Sequence, residues 1–263
     1  MKKLLRFLLV IIIVGGAFLS LFYPLSRSSA QPEHAINYKN GIRFERLLVE
    51  DGLPNATVLS ILQDRDGFMW FATADGLARY DGTDFTVFRY IENANSLSNN
   101  NTFCLVQSAD GLLWIGTDPG GLNVYDPQTG QFGVYRNDPN DPESLLNDSV
   151  WSLMEASDGK IWAGTRNGLS VLDRATGKFK NYQVDSENPR ALAAAVVYRI
   201  YQDKSGTIWV GTRGGLQRYA PETDDFDIFT HNPDDPNSIS SNNIWGMLED
   251  SQGNFWIATR AAA

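Results

Sequence analysis

The sequence predicts an all-β fold made of four-stranded antiparallel units that repeat along the chain. A tryptophan recurs every 44–48 residues, with a glycine three residues before it, Ala or Gly two residues after it and Thr three after it. The residue before each of these glycines is Asp, Ser or Gln, and such pairs form tight hairpin turns. The five tryptophans are Trp70, Trp114, Trp162, Trp209 and Trp256. This period, with short strands and glycine turns, is typical of a β-propeller, in which each repeat is one blade.

A further strand is expected before each of these hairpin turns, because its positions match between the repeats. The residue nine before each tryptophan is aliphatic or Met, and the residue ten before is mostly small. The residue eleven before is Leu or aromatic: Leu59, Phe103, Trp151, Tyr198 and Trp245. This segment is the predicted first strand of each blade, and the tryptophan lies on the second.

The third and fourth strands follow from a Gly-Leu pair after the Thr, a second turn, and a last strand that begins at Phe85, Phe132, Phe179 or Phe226. The predicted blades are about 57–90, 102–136, 149–183 and 196–230, and 243–260 is part of another. Four blades and half of a fifth make an incomplete ring. The segments between blades are rich in Asn, Asp, Pro and Ser, as expected of connecting loops.

The ends of the chain differ from the repeats. Lys2, Lys3 and Arg6 precede an apolar run, and Ser28-Ser29-Ala30 resembles a cleavage site. Residues 1–30 are therefore interpreted as a signal peptide or, alternatively, as an N-terminal membrane anchor; either exports the repeats. Residues 31–41 are an expected linker, and 42–50 an expected outer strand. At 261–263 three alanines replace the expected repeat residues, so we interpret them as a non-native tail of a truncated sequence.

The pattern Asp-x-x-Gly-x-x-Trp-x-Gly-Thr followed by Gly-Leu-x-x-Tyr resembles the two-component regulator propeller repeat, over roughly residues 42–260. Repeats of that family form the extracytoplasmic sensors of many bacterial membrane-bound histidine kinases and of some diguanylate cyclases. The resemblance implies a sensory input domain on the periplasmic or extracellular face of the cytoplasmic membrane. It also implies membrane and output domains beyond this chain, a dimeric receptor and an extracellular ligand. Carbohydrates are sensed in the family, but no residue here singles out a sugar.

Composition and charge limit the other function classes. The net charge of −9 argues against binding nucleic acid. The sequence has two histidines, His34 and His231, both outside the repeated columns, so we expect no catalytic triad, no metal site and no cofactor. The single cysteine, Cys104, lies in the small-residue column of a first strand and is interpreted as a buried packing residue.

Two alternatives stay open besides a sensor: a propeller enzyme and a plain secreted interaction scaffold. The Thr-Gly turns after Asp126 and Asp173 resemble those of quinoprotein propellers. The tryptophan here lies in a different strand, however, and only two repeats carry Thr-Gly. Propeller lyases of antibiotic lactones share a related repeat, but they would need histidine and acidic residues converging on one face, and the sequence offers no such set.

The candidate ligand-binding residues lie in the loop after the Thr that follows each repeat tryptophan and at the start of the first strands. They are Asn147, Arg166, Asn167, Arg213, Asn243 and Arg260. Both segments are expected on one rim of the propeller, where arginine, asparagine and aspartate side chains could bind a polar ligand or a protein. The same loops contain Asp75 and Asp118. The alternative is a solvated rim whose arginines pair with neighbouring acidic residues.

Overall fold

The computed structural model describes residues 7–14, 17–24, 36–37 and 43–260. The chain divides into two units, Met1–Leu47 and Leu48–Ala263. In the first, strand β1 (Phe7–Val14) pairs antiparallel with β2 (Ala17–Pro24), and β3 (Ile36–Asn37) pairs with β4 (Arg43–Phe44). Within the described ranges, no helix has the length and apolar character needed to cross a membrane. The predicted signal peptide or anchor is described only in β1 and β2. Most of the predicted linker and the whole tail 261–263 lie outside the described residues.

The prediction of an outer strand at 42–50 is wrong for most of that range. Only Arg43–Phe44 is a strand, and a 3₁₀ turn occupies Val49–Asp51. A segment forms an extended strand only where a neighbouring strand pairs with its backbone, and among the described residues only Ile36–Asn37 pairs here.

The second unit consists of four four-stranded antiparallel sheets and one two-stranded sheet, so the predicted all-β propeller of four-stranded blades is confirmed. Sheet 1 contains β5 (Val58–Gln63), β6 (Met69–Thr73), β7 (Gly76–Tyr80) and β8 (Phe85–Phe88). Sheet 2 contains β9 (Thr102–Gln107), β10 (Leu113–Thr117), β11 (Gly121–Asp126) and β12 (Gln131–Tyr135). Sheet 3 contains β13 (Val150–Glu155), β14 (Ile161–Thr165), β15 (Gly168–Asp173) and β16 (Lys178–Tyr182). Sheet 4 contains β17 (Val197–Gln202), β18 (Ile208–Thr212), β19 (Gly215–Ala220) and β20 (Asp225–Phe229). Sheet 5 contains β21 (Ile244–Glu249) and β22 (Phe255–Thr259).

Each sheet is a meander, and its first strand lies beside the first strand of the next sheet. The described strands do not form a closed ring. The five tryptophans occupy the second position of β6, β10, β14, β18 and β22. The turn glycines before them adopt positive φ, for example 93° at Gly111 and 81° at Gly159, which explains why glycine is required there.

The hydrophobic core lies between neighbouring sheets. Trp70 packs with Leu105 and Leu113 of the next sheet, and Trp162 with Ile200 and Phe226 of the next. Burial therefore depends on a following sheet. Trp70, Trp114 and Trp162 are 1%, 2% and 4% exposed, whereas Trp256 in sheet 5 is 61% exposed.

The indole N–H groups of these tryptophans form the same hydrogen bond in every sheet but one. In four sheets the Nε1–H donates to the side chain six residues earlier, at 2.6–3.1 Å: Asp64, Ser108, Asp203 and Asp250. Burial acts to raise the pKa of Asp203, but hydrogen bonds from Ser205 and Trp209 outweigh it and hold the pKa below its ordinary value. In sheet 3 the equivalent residue is Ala156, and Nε1 of Trp162 is buried without a partner among the described residues.

Candidate functional site

The loops that follow the second strands and the starts of the first strands lie together, and we call this surface the rim. In sheet 3 the backbone N–H of Arg166 donates to the carbonyl of Ser149, at 3.0 Å. In sheet 5 the N–H of Arg260 donates in the same way to Asn243, at 2.9 Å. This bond fixes the loops of sheets 3 and 5 against the first strand of their own sheet, and it places the side chains of these loops at the same edge.

The arginines of the rim differ in their partners. The side chains of Arg166 and Arg213 are exposed, and within residues 44–260 neither forms a salt bridge or a side-chain hydrogen bond. The guanidinium of Arg260 lies over the ring of Trp245, 5.7 Å from its centroid. Arg166 and Arg213 are thus available to a ligand. Within the described residues, neither arginine pairs with a neighbouring acidic side chain, as the alternative interpretation expected.

The three asparagines are partly engaged in local structure. Oδ1 of Asn147 accepts the N–H of Ser149 at 2.9 Å, and Oδ1 of Asn243 accepts the indole N–H of Trp245 at 2.9 Å. The side chain of Asn167 is exposed, and its backbone N–H donates to Thr165. Asn147 and Asn243 therefore hold the strand starts in place, while their amide N–H₂ groups remain donors for a ligand.

An aromatic ladder crosses the first strands of sheets 2 to 5, and the sequence analysis did not assign it to the site. Phe103 stacks on Trp151 with centroids 5.5 Å apart, Trp151 on Tyr198 at 6.1 Å, and Tyr198 on Trp245 at 4.7 Å. The signal was present as the aromatic column eleven residues before each repeat tryptophan. Its members come from successive blades, so their stacking depends on how the blades are placed side by side.

Asp118 is a second rim residue that the sequence analysis left out of the candidate set. It follows the second strand of sheet 2, and its carboxylate reaches sheet 3. Oδ1 accepts the hydroxyl of Ser149 at 2.5 Å, and Oδ2 accepts the indole N–H of Trp151 at 3.0 Å. Asp118 therefore ties the rim of one sheet to the aromatic ladder of the next.

The strands that carry the ladder also carry a basic residue. Arg199 lies on the first strand of sheet 4, is exposed, and has no salt-bridge partner within residues 44–260. Burial raises the pKa of the Cys104 thiol to about 12, and the charge of Arg199 opposes this rise only in part. The thiol thus stays protonated at neutral pH and acts as a packing group. Among the described residues, no cluster of His, Cys, Asp and Glu is placed to hold a metal ion.

One family model matches this chain. The model described as "Two component regulator propeller" matches residues 52–75, 96–118, 144–167, 191–214 and 238–261. Each matched segment contains a repeat tryptophan and the rim loop after it, except that the second match ends at Asp118, the first residue of its loop. Among curated proteins, none matches the chain.

Solved structures with the same fold include extracellular domains of hybrid two-component systems from B. thetaiotaomicron. One is 31% identical over 82% of this chain, with a TM-score of 0.72, and this chain covers 29% of it. A second is 26% identical over 77% of this chain, with a TM-score of 0.65, and 26% of it is covered. The chain thus spans less than a third of the length of these relatives. Virginiamycin B lyase from Staphylococcus aureus, at 15% identity, a TM-score of 0.59, and 86% of this chain and 67% of that chain covered, shares the fold alone.

Proposed function

Because this chain is built from two-component regulator propeller repeats, we propose that it is the extracytoplasmic sensory input domain of a bacterial signal-transduction receptor. The observation that carries the proposal is the 31% identity to the extracellular domain of a hybrid two-component system over 82% of the chain. In this proposal the chain binds a ligand or a protein and catalyses no reaction. The kinase or cyclase output and the membrane span belong to other parts of a dimeric receptor.

The rim is the proposed sensing surface. Arg166 and Arg213 offer guanidinium groups that have no partner within residues 44–260, and a guanidinium can bind a carboxylate or sugar hydroxyls through two parallel hydrogen bonds. Asn147 and Asn243 add amide donors beside the aromatic ladder, so one face offers both polar and flat apolar contacts. These features suit recognition of a polar organic molecule or of a loop of a partner protein.

Two features count against the enzyme alternative. The likeness to the lyase is at 15% identity and carries the fold alone. The described histidine, His231, is used structurally, since its Nδ1 lies 2.8 Å from the carbonyl oxygen of Ile239. Its imidazole is therefore not free to act as a general base.

Export is tested by fusing the chain, at Arg260, to alkaline phosphatase and, in parallel, to β-galactosidase. Alkaline phosphatase is active only outside the cytoplasm and β-galactosidase only inside it. We expect a phosphatase-positive and galactosidase-negative pair, because basic residues followed by an apolar run direct export. The opposite pair of activities would contradict the extracytoplasmic location.

Ligand sensing at the rim is tested by the double substitution Arg166→Ala and Arg213→Ala in the receptor that carries this domain. The midpoint of the dose response should shift by about tenfold or more, since a hydrogen bond to a charged group is worth about 1.5–3 kcal/mol. The free energy of unfolding should change by less than about 0.5 kcal/mol, because both side chains are exposed.

The matched control is Arg136→Ala, which removes another exposed arginine with one weak bond, to Ser98 at 3.5 Å. This variant should leave both the dose response and the stability unchanged. A normal dose response in the double variant would exclude the rim as the sensing surface. A loss of stability together with the response would mean that the arginines are structural.

A further inference from the structure

One hydrogen bond recurs at all four junctions between neighbouring sheets. The backbone N–H of the residue five before a repeat tryptophan donates to the side chain of the residue seven before the next repeat tryptophan, at 2.7–3.0 Å. The donors and acceptors are Arg65 and Gln107, Ala109 and Glu155, Ser157 and Gln202, and Lys204 and Glu249. We call this bond, together with the apolar contacts around it, the joint.

The acceptor of the joint is held in position by its own hairpin. In Gln202 the side-chain Nε2 donates to the carbonyl of Gly206 at 2.9 Å, and this bond leaves Oε1 to accept from the preceding sheet. Gln63 of sheet 1 makes the same bond to Gly67, at 3.3 Å. Its Oε1, however, has no donor within the described residues. Sheet 1 thus presents the acceptor half of a joint, already oriented and unused.

Sheet 5 presents the donor half. Ser251 stands five residues before Trp256, as Lys204 does before Trp209. It lies in the exposed hairpin turn between β21 and β22, and its N–H has no acceptor in the part of the chain that the structure describes. The donor on sheet 5 and the acceptor on sheet 1 are therefore the two halves of one bond, each without its counterpart.

The apolar part of the joint also has two halves. The repeat tryptophan and the residue eight before it face the next sheet, and the residue nine before the next tryptophan faces back. Trp162 and Met154 of sheet 3 pack in this way with Ile200 of sheet 4. The other three junctions hold the equivalent residues in their own clusters. Each junction therefore buries a tryptophan side and an aliphatic or Met side against each other.

Both apolar halves are open elsewhere in the same chain. On sheet 5, Trp256 is 61% and Leu248 is 58% exposed, and on sheet 1, Ile61 is 58% exposed. Ile200, which has the position of Ile61 in sheet 4, is 4% exposed. Sheet 5 thus offers the tryptophan side of a joint, and sheet 1 offers the aliphatic side.

The aromatic ladder is open on the same two sheets. From sheet 2 to sheet 5, each ladder ring contacts the ring of the next sheet. The ladder position of sheet 1 is Leu59, which is 41% exposed, and Trp245 of sheet 5 is 47% exposed. A sheet 1 placed beside a sheet 5 would continue the ladder from Trp245 to Leu59 and remove both side chains from water.

The strands that a joint requires are all present. Within the chain, the first and second strands of one sheet contact the first strand of the next: β13 and β14 contact β17, and β17 and β18 contact β21. Sheet 5 contains its first two strands, and sheet 1 contains its first strand, β5. The two-stranded sheet 5 is thus sufficient for one side of a joint.

We propose that a second copy of this chain docks head to tail on the first, with sheet 1 of one copy on sheet 5 of the other. In this contact Ile61 packs against Trp256 and Leu248, and Oε1 of Gln63 accepts the N–H of Ser251. The occupant is a second copy, because the bond and the apolar contacts both find their missing halves in this same chain, in the register of four existing junctions. The contact joins two different faces and is therefore heterologous. It does not involve the rim, so its test is independent of export and signalling.

Association is measured by sedimentation velocity of the full chain, in a mild non-ionic detergent because residues 7–14 and 17–24 are apolar. We expect a dissociation constant of about 100 µM or tighter. Ile61→Lys and Trp256→Lys should each weaken the association at least about tenfold, because each places a charge in the apolar part of the joint. Both side chains are exposed in the single copy, so circular dichroism of the dilute variants should show an unchanged fold.

The matched control is Val134→Lys, which changes an apolar residue of β12 that is 49% exposed and lies outside the joint. This variant should associate like the parent chain. The hydrogen bond is tested at Gln63. Gln63→Leu should weaken the association about fivefold, whereas Gln63→Glu should be tolerated, since Glu155 and Glu249 accept the same bond within the chain.

Mixing the two disruptive variants tests the head-to-tail arrangement. Ile61→Lys keeps an intact sheet 5, and Trp256→Lys keeps an intact sheet 1. An equimolar mixture should therefore form a complex with one copy of each, although neither variant associates alone.

Four outcomes would each overturn the proposal. The parent chain could remain monomeric at about tenfold above the expected constant, which would leave the face of sheet 5 to a sheet of another protein. Association could be lost in Trp256→Lys but kept in Ile61→Lys, which would indicate a contact between two sheets 5. The mixture could fail to form the complex. Val134→Lys could be as disruptive as the other two variants, which would indicate unspecific apolar association.

Discussion

Replacing Trp162 by alanine should lower the free energy of unfolding by about 3–5 kcal/mol. Trp162 is 4% exposed, and its ring contacts those of Tyr182 and Tyr219 in the core between sheets 3 and 4. The substitution removes this buried area and leaves a void that two paired sheets cannot collapse. The indole N–H, which has no partner among the described residues, offsets a part of the loss, because removing the donor also removes its desolvation cost.

The control for Trp162→Ala is the same change at Trp256, which has the same place in the repeat but is 61% exposed. Its cost should be below about 1 kcal/mol, since little area is lost. Both values come from urea unfolding followed by circular dichroism. Equal losses at the two positions would contradict the assignment of the core to the space between successive sheets.

Replacing Gly121 by alanine should destabilise the fold by about 3 kcal/mol, from two separate causes. The φ angle of Gly121 is +87°, a conformation that costs an alanine about 1 kcal/mol. An added Cβ would also lie 2.2 Å from the carbonyl oxygen of Tyr135, a backbone atom on the adjacent strand. Since β11 and β12 are paired there, the clash is relieved only by disturbing the sheet.

Gly130→Ala separates the two causes. Gly130 has a φ angle of +72°, but nothing lies within 4 Å of the added Cβ. This variant should lose only the conformational contribution, about 1 kcal/mol. The shift in thermal midpoint of each variant is measured beside its unfolding free energy. If Gly121→Ala lowered the unfolding free energy no more than Gly130→Ala, the close approach of β12 to Gly121 would not be rigid.

The five sheets present equivalent positions, so their side chains can be compared directly. A function specific to one part of the chain is expected where these side chains differ. Sheets 2 and 3 share the backbone hairpin, the tryptophan and the Asp four residues before it. They differ at Ser108 and Ala156, and the sheets that follow them differ at Arg174 and Pro221. These replacements leave the strand pairing unchanged, so they change local contacts without altering the fold.

The sequence determined the architecture because its causes are local. The Asp-Gly type of turn before each tryptophan requires a positive φ angle, and Gly111 and Gly159 have it. Alternating and short apolar segments on both sides of that turn can pair only as antiparallel strands. The order of four strands per blade follows from residues within about 40 positions of each other, as expected for a repeat fold. The rim likewise was predictable, since in an antiparallel pair the end of the second strand lies beside the start of the first strand.

The tertiary structure alone decided which of the repeated side chains are paired and which are free. The burial of Trp162 and the exposure of Trp256 follow from the presence or absence of a following sheet among the described residues. The outer strand expected at 42–50 did not form for a related reason: extended backbone needs a partner strand, which the local sequence does not supply. The aromatic ladder, the carboxylate of Asp118 on Trp151 and a cavity between sheets 3 and 4 each join residues of different blades. Such contacts depend on the distance between sheets and on side-chain volume at each junction, and neither quantity is encoded in a single repeat.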